Sequence, residues 1–122
     1  MRRDLEVVVV DDEIQITDIL STFIPLVIDN VQVHVFNDPI IAKEYITSNH
    51  VDVVITDYKM PGMDGLQLLE SAPPESTKIV ISGFMSDIGE EQLRMLNATF
   101  FEKPVPLGSI TNVIIELQKK IR

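Results

Sequence analysis

What most narrows the folds open to this chain is a set of short apolar runs, each stopped by a polar residue. "LEVVVV" ends at Asp11, "VDVVIT" at Asp57 and "KIVI" at Ser82, while "ATFFE" leads into Lys103 and Pro104. Runs so short and so rich in β-branched residues suit strands covered on both faces, as in a parallel sheet. "VQVHVF" alternates instead with period two, which suits an edge strand with one wetter face. Between the runs, apolar residues recur at helical spacing. Five strands alternating with five helices make an α/β domain around a parallel sheet, because the crossovers are too short for anything but right-handed βαβ units.

The helices show in their stripes and caps. Ile16, Ile19, Leu20, Phe23 and Val27 form the first stripe, and Pro25 is expected to kink or end that helix. Asp38 is the expected cap of the second, with Pro39 at its first position and Ile41, Ala42, Tyr45 and Ile46 on one side. After the loop "YKMPGMDG", the short helix "LQLLES" stops before Pro73 and Pro74. Asp87 and Glu90 stand at capping-box spacing where the fourth helix opens. Ile110, Val113, Ile114, Leu117 and Ile121 form the last stripe, with Lys119, Lys120 and Arg122 where the helix dipole favours cations. No repeat, linker or low-complexity segment interrupts the pattern, so residues 1–122 read as one domain.

Composition removes several functions. A chain of 122 residues buries roughly two-thirds of the surface it exposes when unfolded, and needs no staples. The absence of cysteine excludes a disulfide framework and thiolate metal sites, and suits a reducing cytoplasm. No apolar run approaches the ~20 residues of a membrane span, and "MRRDLEVVVVDDE" meets its acids too soon for a signal peptide. With a net charge of −9 and no basic patch, the domain is not built to grip nucleic acid by itself. Its natural counter-charge is a cation or a basic partner surface.

In open α/β sheets ligands bind beyond the carboxyl ends of the strands, at the switch point in strand order. The residues that stop the apolar runs should therefore converge there: Asp11, Asp12, Asp57, Ser82 and Lys103. Acids brought together lift one another's pKa values, and a hard divalent cation with oxygen ligands relieves that repulsion. The acids thus read as a Mg²⁺ site, and Mg²⁺ keeps a position for a substrate phosphate oxygen. A carboxylate beside it can attack phosphorus to form an acyl phosphate, with a lysine and a hydroxyl holding the other phosphoryl oxygens.

In their order and separations, "VVVVDDE", "ITDYKMPGMDG", "IVISG" and "FFEKP" resemble the motifs of the receiver domain of two-component response regulators, over essentially the whole chain. The resemblance implies a flavodoxin-like, doubly wound sheet of five parallel strands in the order 2-1-3-4-5. It implies that Asp57 is the phosphoacceptor, that Asp12 binds Mg²⁺ directly, that Asp11 holds a metal-bound water, and that the backbone carbonyl of Lys59 completes the protein's share of the coordination. Ser82 would hydrogen-bond the phosphoryl group, and Lys103 would pair with it through a bond formed only after transfer. Phe100 would be the switch aromatic, and Pro104 would follow a cis peptide bond.

The same resemblance implies a cytoplasmic signalling switch. It would be phosphorylated by a histidine kinase or phosphotransfer protein, as in a phosphorelay. The face of the fourth helix, fifth strand and fifth helix would then control an effector domain or downstream protein, with a phosphorylation-dependent homodimer among the forms available. No contact with nucleic acid or membrane is implied for the domain, and no turnover of free substrate beyond self-phosphorylation and slow self-dephosphorylation. Most such domains carry an effector, so a longer protein is expected, but "VPLGS" lacks the pattern of the winged-helix subfamily.

Other readings stand beside these. A small Mg²⁺-dependent aspartyl phosphatase or phosphotransferase would place a second acid two residues after the nucleophile, where this chain has Lys59. A receiver-like module that is never phosphorylated would not need the intact acid set. Glu13 reads as a solvated turn residue, and Ser82 has the alternative of ending its strand on backbone. Phe100 and Phe101 alternate across a strand, so one of them is expected in the core. His34 and His50 show no partner suited to metal or phosphate chemistry, and Met60, Met63, Met85 and Met95 read as gap-fillers or partner-surface residues.

Overall fold

A computed structural model of the protein describes residues 3–83 and 88–121. Among these the chain runs β1 (Leu5–Val10), α1 (Ile14–Val27), β2 (Val31–Phe36), α2 (Pro39–Ser48), β3 (Val53–Asp57), α3 (Gly65–Glu70), β4 (Thr77–Ser82), α4 (Glu90–Leu96), β5 (Ala98–Glu102) and α5 (Leu107–Lys120). All strand pairs are parallel, in the order β2-β1-β3-β4-β5. This is the doubly wound sheet expected from the sequence.

The unbroken apolar runs are explained by what covers them. Successive strand side chains point to opposite faces. Val7, Val9, Val53, Ile55, Ile79 and Ile81 pack with Leu20 and Ile24 of α1 and Ile110 and Ile114 of α5. Their neighbours Val8, Val10, Val54 and Val80 pack on the other face with Ala42 and Ile46 of α2 and Leu68 and Leu69 of α3. Truncating one of these fully buried aliphatics to alanine costs about 2–5 kcal/mol. The edge strands β2 and β5 are only partly buried, as the alternation of "VQVHVF" requires.

Several local expectations are corrected. Pro25 does not itself end α1, which continues two residues further to Val27, with Ile28 N–H donating to Ile24 O at 3.0 Å. A proline in the last turn removes a single helical bond, and the burial of Leu20 and Ile24 outweighs that loss. The buried stripe is Thr17, Leu20 and Ile24, leaving Ile19 and Val27 about half exposed at 46% and 48%. Ile41 and Ile121 are likewise exposed. Phe100 and Phe101 are both half-buried, one against each face of the sheet, so neither is a fully enclosed core residue.

Asp38 caps α2 as expected, its Oδ1 accepting from Ile40 N–H at 2.9 Å. Asp64 and Gln67 form a capping box on α3 that the sequence reading did not single out, with both bonds at 2.9 Å. The expected capping box of Asp87 with Glu90 is not the one at α4: Gly89 is the cap, Glu90 the first helical residue, and Gln92 Oε1 accepts from Gly89 N–H at 3.3 Å, while Asp87, Met85 and Arg122 themselves lie outside the described residues. At the amino ends of the strands, Asp52 binds Arg3 through a fork of 2.8 and 3.0 Å, Glu6 N–H at 2.8 Å and His50 at 2.9 Å. His34 pairs across β1 and β2 with Glu6 at 2.7 Å, so both histidines have carboxylate partners.

Candidate functional site

The acids converge because each run stops at the same edge of the sheet. Asp11 follows the last residue of β1 and extends its ladder, donating its N–H to Phe36 O at 3.1 Å. Its Oδ1 accepts from Glu13 N–H at 2.9 Å, which turns the chain into α1. Asn37 holds the corner from the neighbouring strand end, donating through Nδ2 to Asp11 O at 2.8 Å and to Thr17 Oγ1 at 3.0 Å. Asp57 is the last residue of β3 and Ser82 the last of β4. Lys103, just past β5, donates its N–H to Ser82 O at 2.9 Å. The Lys103–Pro104 peptide bond is cis.

Side-chain parity decides which of these groups meet. Asp11, Asp57 and Lys103 continue the alternation of Val9, Ile55 and Phe101, the residues that face α1 and α5. They are brought together: Lys103 Nζ lies 3.1 Å from Asp57 Oδ1 and 3.6 Å from Asp11 Oδ2. One carboxylate oxygen each from Asp11, Asp12 and Asp57 falls within 4.8 Å of the others. Asp11 and Asp57 are buried, at 2% and 7% exposure, while Asp12 is exposed and gives the site its opening.

Burial pushes the Asp11 carboxyl up to about 6; the bond from Glu13 N–H and the charge of Lys103 pull against it, and Asp57 and Asp12 push with it. Asp57 is raised for the same first reason, with Lys103 the main opposing influence. Lys103 loses affinity for its proton through burial but regains more from Asp11, Asp57 and Glu13. The lysine thus leaves the negative charge only partly matched.

Clustered carboxylates with hard oxygen donors and a surplus of negative charge fit a hard divalent cation of the Mg²⁺ class. A nucleophilic carboxylate flanked by a cation site and a lysine can accept a phosphoryl group. Lys103 has three acidic neighbours, Asp11, Glu13 and Asp57, all within 3.6 Å of its Nζ.

The remaining expected residues are Ser82, Phe100 and Lys59. Ser82 is buried at 2% exposure on the strand beside Asp57. Phe100 lies opposite Val80 in the β4–β5 register and packs on the face covered by α2 and α3. Lys59 is exposed and lines, with Tyr58, Met60, Pro61 and Asp64, a cleft of about 470 Å³ formed by the loop that follows Asp57.

The structure also adds residues. Glu13 is exposed, as a turn residue should be, but its Oε1 reaches within 3.6 Å of Lys103 Nζ. Asn37 could have been suspected from its place at the end of β2. Thr56 donates its Oγ1 to Asp57 O at 2.9 Å, a contact that no sequence pattern announces. The bond between Lys103 and the acceptor, expected only after transfer, is present with the unmodified carboxylate.

Comparison with known proteins bears on the same residues. A family model described as the response regulator receiver domain matches residues 7–115. The transcriptional regulatory protein FlgR of Helicobacter pylori is 32% identical over 123 residues, covering 95% of this chain and 32% of that protein. The cyclic di-GMP phosphodiesterase response regulator RpfG of Xanthomonas campestris is 31% identical over 93 residues, covering 74% of this chain and 24% of that protein. The chain therefore spans a third or less of the length of these curated relatives. In fold it is similar to a CheY-like response regulator receiver domain protein from Methanospirillum hungatei, with a TM-score of 0.82 at 22% identity over 96% of this chain and 95% of that one.

Proposed function

Because this chain belongs to the family of response regulator receiver domains, we propose that it is a phosphorylation-controlled switch, one domain over residues 1–122, whose phosphoacceptor is Asp57. The observation that carries the reading is the contact of Lys103 Nζ with Asp57 Oδ1 at 3.1 Å, inside a cluster of three carboxylates that fits a divalent cation. Asp57, at the end of the middle strand of the sheet, is buried; burial raises its carboxyl pKa, and Lys103 opposes that rise and so favours the ionised, nucleophilic form.

Asp11, Asp12, Asp57 and the backbone carbonyl of Lys59 would hold Mg²⁺. When bound, Mg²⁺ supplies charge compensation to the phosphoryl oxygens. An oxygen of Asp57 forms the new bond to phosphorus as the phosphorus–nitrogen bond to the donor's histidine breaks, and the electron pair leaves with the imidazole nitrogen. Lys103 and the Ser82 hydroxyl then hold phosphoryl oxygens, and the added charge biases a two-state equilibrium that reaches Phe100 and the face of α4, β5 and α5. A histidine kinase or phosphotransfer protein is the donor, and an effector domain or downstream protein reads that face.

The test is exposure of the chain to a small acyl phosphate donor with Mg²⁺, followed by mapping of the label. A single phosphoryl adduct on Asp57 is expected. Turnover without an adduct, or an adduct on another acid, would overturn the reading.

A further inference from the structure

Gly65, the first residue of α3, presses its backbone against that of Asp57. A Cβ on Gly65 would lie 2.2 Å from Asp57 O, 3.1 Å from Asp57 C and 3.1 Å from Thr56 Cγ2. The first of these separations is far inside van der Waals contact, and the atom it meets is backbone that cannot swing away. Gly65 is not needed for its conformational freedom, since Gly62 alone among the described glycines has a left-handed φ, at 86°. Its missing side chain serves close approach instead.

The approach is held from both sides. Gly65 N–H donates to Tyr58 O at 2.7 Å, and the fully buried Thr56 donates its hydroxyl to Asp57 O at 2.9 Å. These bonds close the neck of the loop that carries Lys59 between Asp57 and α3. The main chain of Asp57 is thus clamped between the Thr56 hydroxyl and the bare Cα of Gly65.

We propose that Gly65 is a positioning residue for the phosphoacceptor site, acting through the Asp57 carbonyl to set where the Asp57 carboxylate and the Lys59 carbonyl stand relative to Asp11 and Asp12. The inference rests on the proposed role of Asp57. Displacing one ligand-bearing strand end relative to the others is the kind of error that costs a site affinity and rate while leaving the core of the sheet alone.

The experiment uses the full chain, with Mg²⁺ titrated calorimetrically and a small acyl phosphate as donor. Gly65→Ala should bind Mg²⁺ roughly 10–100-fold more weakly and take label more slowly at fixed Mg²⁺, while still melting cooperatively. Gly108→Ala, at a position where a Cβ meets nothing within 4 Å, should match the parent in both. Adding Thr56→Ser to Gly65→Ala removes the methyl contact but not the carbonyl contact, so it should restore nothing.

Parent-like Mg²⁺ affinity and labelling in Gly65→Ala, or full rescue by Thr56→Ser, would overturn the proposal. Should Gly65→Ala not fold, Thr56→Val decides, since it keeps the volume and deletes the hydroxyl that fixes Asp57 O: weakened Mg²⁺ binding supports the clamp and unchanged binding refutes it. A parent chain that takes neither Mg²⁺ nor label overturns the function of Asp57 and this inference together, whereas a labelled parent with an equally labelled Gly65→Ala overturns this inference alone.

Discussion

Lys103 Nζ sits 3.1 Å from Asp57 Oδ1 in the unmodified protein, so the lysine is the resident counter-ion of the acceptor and not only a ligand for what the acceptor will carry. The same ammonium is shared with Asp11 and Glu13, each at 3.6 Å. One cation therefore serves several acids, and the site keeps a deficit of positive charge that defines its chemistry.

Asp57→Asn keeps size and polarity but removes the charged nucleophilic oxygen. Labelling by a small phosphodonor with Mg²⁺ is expected to vanish, while circular dichroism shows the parent's helix content. Stoichiometric label retained on another acid would contradict the assignment.

Asp12→Ala takes away the exposed member of the acid cluster. Mg²⁺ affinity should fall roughly tenfold or more, and phosphorylation should slow with it. Because Asp12 raises the pKa of both Asp11 and Asp57, its loss also relieves repulsion, so without Mg²⁺ the variant should melt no lower than the parent. Titration calorimetry and thermal melts in chelator read the two effects separately.

The Asp11 carboxyl, raised to about 6 chiefly by burial, makes the site's response to pH predictable. In the folded chain without metal it holds its proton more tightly than in the unfolded chain, so its stabilising contribution is complete below about pH 4 and is lost as pH rises to about 6. The loss amounts to roughly 1–3 kcal/mol. Mg²⁺ needs the ionised form, so its apparent affinity should climb with pH through about 6 and then level off. Titrations between pH 5 and 8 should show that step, and Asp11→Asn should flatten it.

Much of this was legible in the sequence because burial on both faces leaves an unmistakable trace. Val7 to Val10 and Val53 to Ile55 are apolar at every position, and a run that stops at an acid tells where the sheet edge lies. What stayed hidden is set by contacts between segments far apart in the chain. The sharing of Lys103 with Glu13 depends on how α1 begins relative to the end of β5, and Asn37 bonds Asp11 across a strand pair. Pro25 misled because proline's cost is local while Leu20 and Ile24 stabilise the helix through the core.

Asp52 provides a control far from the chemistry, at the other end of β1 and β3. Burial pushes its carboxyl up, but the bonds from Arg3, Glu6 N–H and His50 outweigh that and hold it below the usual range. Its stabilising contribution is therefore present above about pH 4 and is lost as pH falls through its depressed value. Asp52→Ala should cost about 1–2 kcal/mol at neutral pH, less in stronger acid, with labelling at Asp57 unchanged. Denaturant unfolding at pH 7 and pH 3 checks the sign.

Lys103→Ala separates phosphoryl transfer from switching. The lysine exchanges no proton in the transfer, since Asp57 attacks as a carboxylate and Mg²⁺ compensates much of the phosphoryl charge. Its part is to favour one state over the other. A charge-assisted hydrogen bond is worth ~1.5–3 kcal/mol, but the lysine already holds the Asp57 carboxylate at 3.1 Å, so only the excess of the phosphoryl contact over that pair can bias the switch. An excess of about 1 kcal/mol shifts a two-state population roughly fivefold. Lys103→Ala should accordingly still take phosphate on Asp57, yet fail to carry the change from the pocket to Phe100 and α4. Nuclear magnetic resonance spectra of the variant, with and without phosphate, should show shifts confined to the residues around Asp57 and Ser82. The full parent pattern at Phe100 and along Glu90 to Leu96 would mean that the bias reaches that face by a route other than Lys103.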